Sequence, residues 1–154
     1  MKVWINGIQR NVLNEIPYIY TIDNFIDDNK CNHIINISKG NFNPALVISV
    51  SNGIISNERS GLNYWIEYND DNIIKEICER ISKLVRIPLT NAENVQVIYY
   101  KKGQEYRKHF DAFNKKTIKG LKHTKFGGNR IVTCIVYLNN VESGGSTSFA
   151  KLDL

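Results

Sequence analysis

The chain has 154 residues, 42% of them hydrophobic and 23% charged, with a net charge of +5 and a pI near 9.1. This is long enough for one domain with a real core and too apolar for a disordered chain, and no run approaches the length of a transmembrane helix. Met1-Lys2-Val3-Trp4 leads into polar residues rather than a signal-peptide apolar region, so a cytoplasmic protein is expected. Abundant Ile, Asn and Lys suit an AT-rich genome such as a virus's. Cys31, Cys78 and Cys134 are odd in number and fall in apolar stripes, which reads as free, buried thiols rather than disulfides or a zinc site.

The first fifteen residues show no clear pattern. From Ile16, PYIYTIDNFI alternates as a strand. Asp27 or Asp28 then caps a helix near 28–39 whose Cys31, Ile34, Ile35 and Ser38 share a face, with Gly40 ending it. His33 reads as an exposed helical residue. LVISV at 46–50 reads as a strand and SNGIISNERSG as a loop, followed by Arg59 and a strand in which Trp65 reads either as a core residue or as part of a functional segment with Arg59. Residues 70–86 form the best helix, with Ile73, Ile74, Ile77, Cys78, Ile81, Leu84 and Val85 at helical spacing, Asn69 or Asp70 as cap and Pro88 as stop. This apolar face should pack on a sheet, which NVQVIYY opens.

The chemistry concentrates in residues 99–111, YYKKGQEYRKHFD. On extended backbone the side chains of His109 and Asp111 point the same way, with Cα atoms roughly 6.6 Å apart, close enough to share one ion. On a helix they would diverge by about 200°. An imidazole and a carboxylate so placed are two thirds of the facial triad that holds non-heme Fe(II). The segment KKTIKGLKHTKFGGN that follows is basic and reads as a solvated loop, with a flap or a docking surface for an acidic partner as the sharper readings. No aromatic-basic platform accompanies it, so no nucleic-acid partner is expected, and no membrane. RIVTCIVYLNN is a β-branched strand in which Ile135 and Tyr137 share a face, and the Gly-Gly after it makes a turn.

Lys101-Lys102-Gly103-Gln104-Glu105-Tyr106 before the pair, then Gly127-Gly128-Asn129-Arg130, RIVTCIVYLNN and Gly144-Gly145-Ser146-Thr147 after it, resemble the prolyl 4-hydroxylase family. These are Fe(II)/2-oxoglutarate dioxygenases built on a double-stranded β-helix. The likeness runs from about Ile22-Asp23-Asn24-Phe25 to the last residue. It implies a mainly β chain with N-terminal helices (an α+β jelly roll lacking its last strands), arranged as one domain over 1–154. Helices and supporting strands would occupy about 16–98, and the start of the β-helix core about 99–154.

The resemblance also implies roles. Fe(II) would be held by His109 and Asp111, and 2-oxoglutarate by Tyr100, Tyr137 and Thr147. A proline-containing peptide or protein would meet Arg59, Tyr106 and Arg130. The reaction would hydroxylate a prolyl ring while 2-oxoglutarate becomes succinate and CO2, with ascorbate rescuing oxidised iron. Three positions depart from the family pattern: Gly61 where a serine hydroxyl would face the peptide, Ser146 for a frequent Glu, and Ala150 for a common proline. The family's second histidine and its 2-oxoglutarate-binding lysine come downstream of the Gly-Gly-x-Thr turn. With the sequence ending at Leu154, the expectation is an enzyme impaired as this polypeptide, the alternative a non-catalytic peptide-binding relative or truncated pseudoenzyme. His123 could stand in only if the basic segment folded back onto the metal. Oligomeric state is not legible.

Overall fold

The structure, a computed structural model, describes residues 1–5, 7–48, 53–55, 58–152 and 154. Its first sheet lies where the sequence shows no clear pattern. β1 (Lys2–Ile5) and β2 (Ile8–Asn14) pair antiparallel with Ile5 opposite Ile8, and β3 (Ile19–Thr21) adds to β2. Gly7 stands between the first two at φ 75°, left-handed backbone that tight hairpins favour. β3 is a short piece of the strand expected in PYIYTIDNFI.

α1 (Asp28–Ser38) begins where its cap satisfies a free backbone N–H: the Asp27 carboxylate accepts from Lys30 N at 2.9 Å. Cys31, Ile34 and Ser38 are its buried residues, and the Ser38 hydroxyl donates back to Ile34 O at 2.7 Å. β4 (Asn43–Pro44) follows, then β5 (Leu46–Ile48) and β6 (Gly53–Ile55), which pair with each other. β6 corrects the expected loop over SNGIISNERSG: its isoleucines are β-branched, and β5 supplies the partner a strand needs. Residues 49–52, 56 and 57 of these two expected segments lie outside the described residues.

β7 (Leu62–Ile66) is the centre of the second sheet, flanked by β4 and by β8 (Val95–Tyr99). Between β7 and β8 runs α2 (Asn72–Val85). Its cap is Asp71, one or two residues later than the sequence suggested, and it accepts from Ile73 N at 2.9 Å and Ile74 N at 3.0 Å. Arg86, left-handed at φ 58°, ends the helix before Pro88 could. In the β7–β8 register Tyr64 faces Val97 and Ile66 faces Val95, so these four share one side of the sheet. Ile66 and Val97 pack there with Ile34 of α1 and Ile74, Ile77 and Cys78 of α2. Both helices therefore back one sheet, as expected.

The same alternation turns Trp65 to the other side, 47% exposed, and overturns the reading of it as a core residue. His33 is likewise no free surface histidine. It is half-buried, and its Nε2 lies 2.7 Å from Asp71 Oδ2, tying α1 to the cap of α2.

Beyond Tyr99 the chain changes character. α3 (Ile118–Thr124) stands within the basic segment read as a loop, capped by Thr117 whose hydroxyl accepts from Gly120 N at 3.0 Å. Residues 129–142 run without a paired strand, so RIVTCIVYLNN, although β-branched, has no ladder here. Its Cys134 is exposed, correcting the expected burial, whereas Cys31 and Cys78 are buried thiols. Three small antiparallel sheets and three α-helices, counted among the described residues, are consistent with a jelly-roll protein without reproducing its closed sandwich. No helix among them is long and apolar enough to cross a membrane.

Candidate metal centre

The segment after β8 is fixed by its neighbours. Gly103, at φ 79°, makes a turn closed by Gln104 N donating to Lys101 O at 3.0 Å. The chain then runs extended against residues 58–60. Tyr106 bridges Arg59, Ser60 N donates to Glu105 O at 3.0 Å, and Arg107 N donates to Glu58 O at 2.9 Å. The Ser60 hydroxyl accepts from Glu105 N at 2.9 Å. This docking delivers non-helical backbone up to the His-Phe-Asp motif, as the motif requires.

The two candidate ligands meet. His109 Nε2 lies 3.1 Å from Asp111 Oδ1, and both side chains are more than a third exposed, so the pair opens to solvent. His109 Nδ1 lies 2.7 Å from Arg107 O. A carbonyl only accepts, so Nδ1 carries a hydrogen and the lone pair of the neutral ring falls on Nε2. That lone pair faces a carboxylate oxygen, an arrangement that needs a cation between them: a proton on Nε2 or a metal ion. An imidazole nitrogen oriented through its other N–H, beside a carboxylate, is a donor set that Fe(II) or Mn(II) accepts. The residues present therefore fit a divalent ion. Among the described residues, however, no group of three or more His, Cys, Asp and Glu side chains is placed to share one.

Three contacts fix the pair. The imidazole stacks on Tyr106 with ring centroids 3.6 Å apart and planes at 17°. The other carboxylate oxygen, Asp111 Oδ2, accepts from the Thr133 hydroxyl at 2.6 Å. Arg130 Nη1 donates to Asp111 O at 3.4 Å while its fork grips Glu93, Nε to Oε1 at 2.5 Å and Nη2 to Oε2 at 2.7 Å. The Glu93 carboxylate holds that guanidinium above its ordinary pKa, although burial pulls the other way. Thr133 was not singled out in the sequence. The signal was available: it stands two residues before Ile135 and four before Tyr137, on the same face of one extended run.

The remaining candidates fall into two groups. Arg59 lies over the Tyr106 ring at 4.8 Å, donates from Nη2 to Gln96 Oε1 at 2.8 Å, and brings its charge near the Tyr100 phenol. Burial pushes the Tyr100 phenol up, and the Arg59 charge offsets part of that. The Tyr100 ring also explains Gly61: a Cβ there would stand 2.4 Å from Cε1 and 2.6 Å from Cδ1 of the ring. Arg59, Tyr100, Tyr106 and His109 are thus linked in one series. Tyr137 and Thr147 form a separate pair, their hydroxyl oxygens 2.7 Å apart. His123 stacks on Phe113 at 4.9 Å and, among the described residues, joins no group of three or more metal-ligating side chains.

A family model described as the 2OG-Fe(II) oxygenase superfamily matches residues 95–153, a span that includes β8 and the metal pair. That superfamily implies a jelly-roll fold, with Fe(II) and 2-oxoglutarate as its cofactor and cosubstrate. Among curated proteins, the chain is 30% identical to probable prolyl 4-hydroxylase 7 of Arabidopsis thaliana, over 89% of the chain and 42% of that protein. It is 32% identical to prolyl 4-hydroxylase 2 of the same plant, over 94% of the chain and 48% of the relative. For probable prolyl 4-hydroxylase 8 the values are 33%, 90% and 47%. The chain spans about half the length of these curated relatives. Residues 95–153 thus match the 2OG-Fe(II) oxygenase superfamily, and over most of its length the chain is similar to prolyl 4-hydroxylases.

Proposed function

We propose that the chain is an Fe(II)/2-oxoglutarate-dependent dioxygenase domain that hydroxylates prolyl residues in a peptide or protein. The observation that carries this is the His109–Asp111 pair, its Nε2 and Oδ1 converging at 3.1 Å with the tautomer set by the Arg107 carbonyl. When bound there, Fe(II) would supply the O2-dependent oxidation that no side chain performs unaided. The protein's part is positioning. Nδ1–H donates to the Arg107 carbonyl, and Tyr106 restrains the ring by stacking. The Thr133 hydroxyl occupies Oδ2, leaving Oδ1 as the carboxylate oxygen turned to Nε2.

The cosubstrate and peptide roles are proposals at the next remove. Tyr137 and Thr147 hold two hydroxyls together on an exposed surface, and either could turn to the distal carboxylate of 2-oxoglutarate. Tyr100 would stand nearer the ion. Arg59 and Tyr106 present a guanidinium and a phenol beside the histidine, suited to a peptide carbonyl, and Arg130 borders Asp111. Ascorbate would serve to restore oxidised iron.

The test is an assay of a proline-containing peptide with Fe(II), 2-oxoglutarate and ascorbate, following succinate release and hydroxyproline by mass spectrometry. With two protein ligands among the described residues, more of the ion's coordination falls to water, so turnover should be slow. Hydroxyproline that disappears in Asp111→Ala supports the proposal. Succinate release with an unmodified proline, or hydroxylation that survives Asp111→Ala, contradicts it.

A further inference from the structure

Charge in this chain is segregated. Ten of its 20 Lys and Arg but only two of its 15 Asp and Glu lie in residues 99–130, an excess of eight positive charges in a chain whose net is +5. From Ala112 to Val141 there is no acidic residue at all, while Lys115, Lys116, Lys119, Lys122, Lys125 and Arg130 fall there. Such a concentration raises the local potential, attracts anionic partners and repels cationic ones.

The segment that bears these lysines is anchored at the metal pair. Asn129 closes it at both ends, accepting from Phe113 N at 2.8 Å and donating to Phe113 O at 2.9 Å. His123 of α3 stacks on the Phe113 ring, and the Arg130 guanidinium lies 5.0 Å from the same ring. Phe113 is two residues beyond Asp111, so α3 stands at the rim of the site. Apolar residues of α3 and of the chain just after it are turned outward: Ile118 is 79% exposed, Leu121 59% and Phe126 91%. Ile118 and Leu121, three apart, are neighbours on the helix surface. A small anion would use the charge but not these side chains. A polypeptide with carboxylates and apolar groups would use both.

We infer that α3 and its flanks, residues 114–128, dock acidic residues flanking the target proline, so the preferred substrate is an acidic polypeptide segment. This rests on the prolyl hydroxylase reading for the proline alone; the docking surface stands or falls by itself. Each exposed charge pair contributes a factor of about 1.4 to 5 in affinity, so several together give an appreciable preference.

The experiment measures fluorescence anisotropy of labelled synthetic peptides bound by the chain. Each carries one proline flanked by Glu, by Gln or by Lys. The Glu-flanked peptide should bind tightest, roughly tenfold or more over the Lys-flanked one, and weaken as NaCl rises. In Lys115→Glu/Lys116→Glu/Lys122→Glu that preference should vanish while Mn(II) binding is unchanged, and Phe126→Ala should weaken all three peptides. Equal or tighter binding of the Lys-flanked peptide overturns the inference, as does a preference that ignores salt in the parent chain or survives the charge reversal. Phosphatidylserine vesicles or duplex DNA bound through the same lysines, with no binding of the Glu-flanked peptide, would also overturn it. A Glu-flanked peptide with Ala for Pro that binds equally well upholds the docking surface, and in the turnover assay the fate of the proline decides the reaction separately.

Discussion

The two halves of the molecule are held together by different means. Up to Tyr99, the helices and the β7–β8 pair share one apolar cluster, with Ile74 only 2% exposed, and the caps and cross-links around it are local. After Tyr99, large apolar side chains such as Ile131, Ile135 and Tyr137 face solvent, and the backbone is held chiefly by side-chain hydrogen bonds and the short bridge to Arg59. The first region is stabilised by burial and the second by orientation. Substitutions in the first should change stability, and those in the second should change binding while the core persists.

The largest effect expected is on the core. Ile74→Ala removes a fully packed side chain between α2 and the sheet and should cost about 2–5 kcal/mol, read from urea unfolding. Asp71→Ala comes next, at about 1–2 kcal/mol, because α2 loses its cap and His33 its partner. Its pH dependence is defined. Burial alone would raise the Asp71 carboxyl, but the N–H of Ile74, the His33 side chain and the N–H of Ile73 together hold it below its ordinary value. The stabilisation is therefore fully present above about pH 3.9 and lost as pH falls through the lowered folded value. The gap between parent and Asp71→Ala should close in acid. A gap that instead widens in acid would refute the assignment.

Where the halves meet, Gly61→Ser should cost about 1 kcal/mol. The added Cβ displaces the Tyr100 ring, which is partly exposed and can swing outward, and the Arg59–Tyr100 contact goes with it. Restoring the serine that the resemblance leads one to expect at 61 should thus weaken the chain. Smallest of all, Ile135→Ala in the exposed run should stay within about 0.5 kcal/mol in the same urea experiment. A cost near that of Ile74→Ala would mean that the second half has a core of its own and would break the comparison.

The same division decides what the sequence reveals. Helices α1 and α2 were legible because burial imprints a 3.6-residue period, and their apolar faces point where that period says. The cap of α2 was misplaced because Asn69, Asp70 and Asp71 are equally suited in isolation, and only the bonds to Ile73 and Ile74 choose among them. The β1–β2 hairpin was missed although Asn6-Gly7 between apolar runs is a strong turn signal. Trp65 was misread because an aromatic in a strand says core, whereas register gave the buried face to Tyr64 and Ile66. In the site, His109 and Asp111 were legible since extended backbone alone brings them together. The clasp by Thr133 and the Arg130–Glu93 fork depend on residues 22 and 37 positions apart, which no local pattern encodes.

The central claim is that His109 and Asp111 form a cation site whose geometry their neighbours set, and Mn(II) titration by calorimetry tests it most directly. The parent chain should bind one ion, weakly for a pair of protein ligands. His109→Ala and Asp111→Ala should lose binding, and Thr133→Val should weaken it by roughly tenfold, within the range for groups that orient a ligand. His123→Ala should leave it unchanged. Mn(II) binding by His109→Ala as tight as that of the parent would contradict the account.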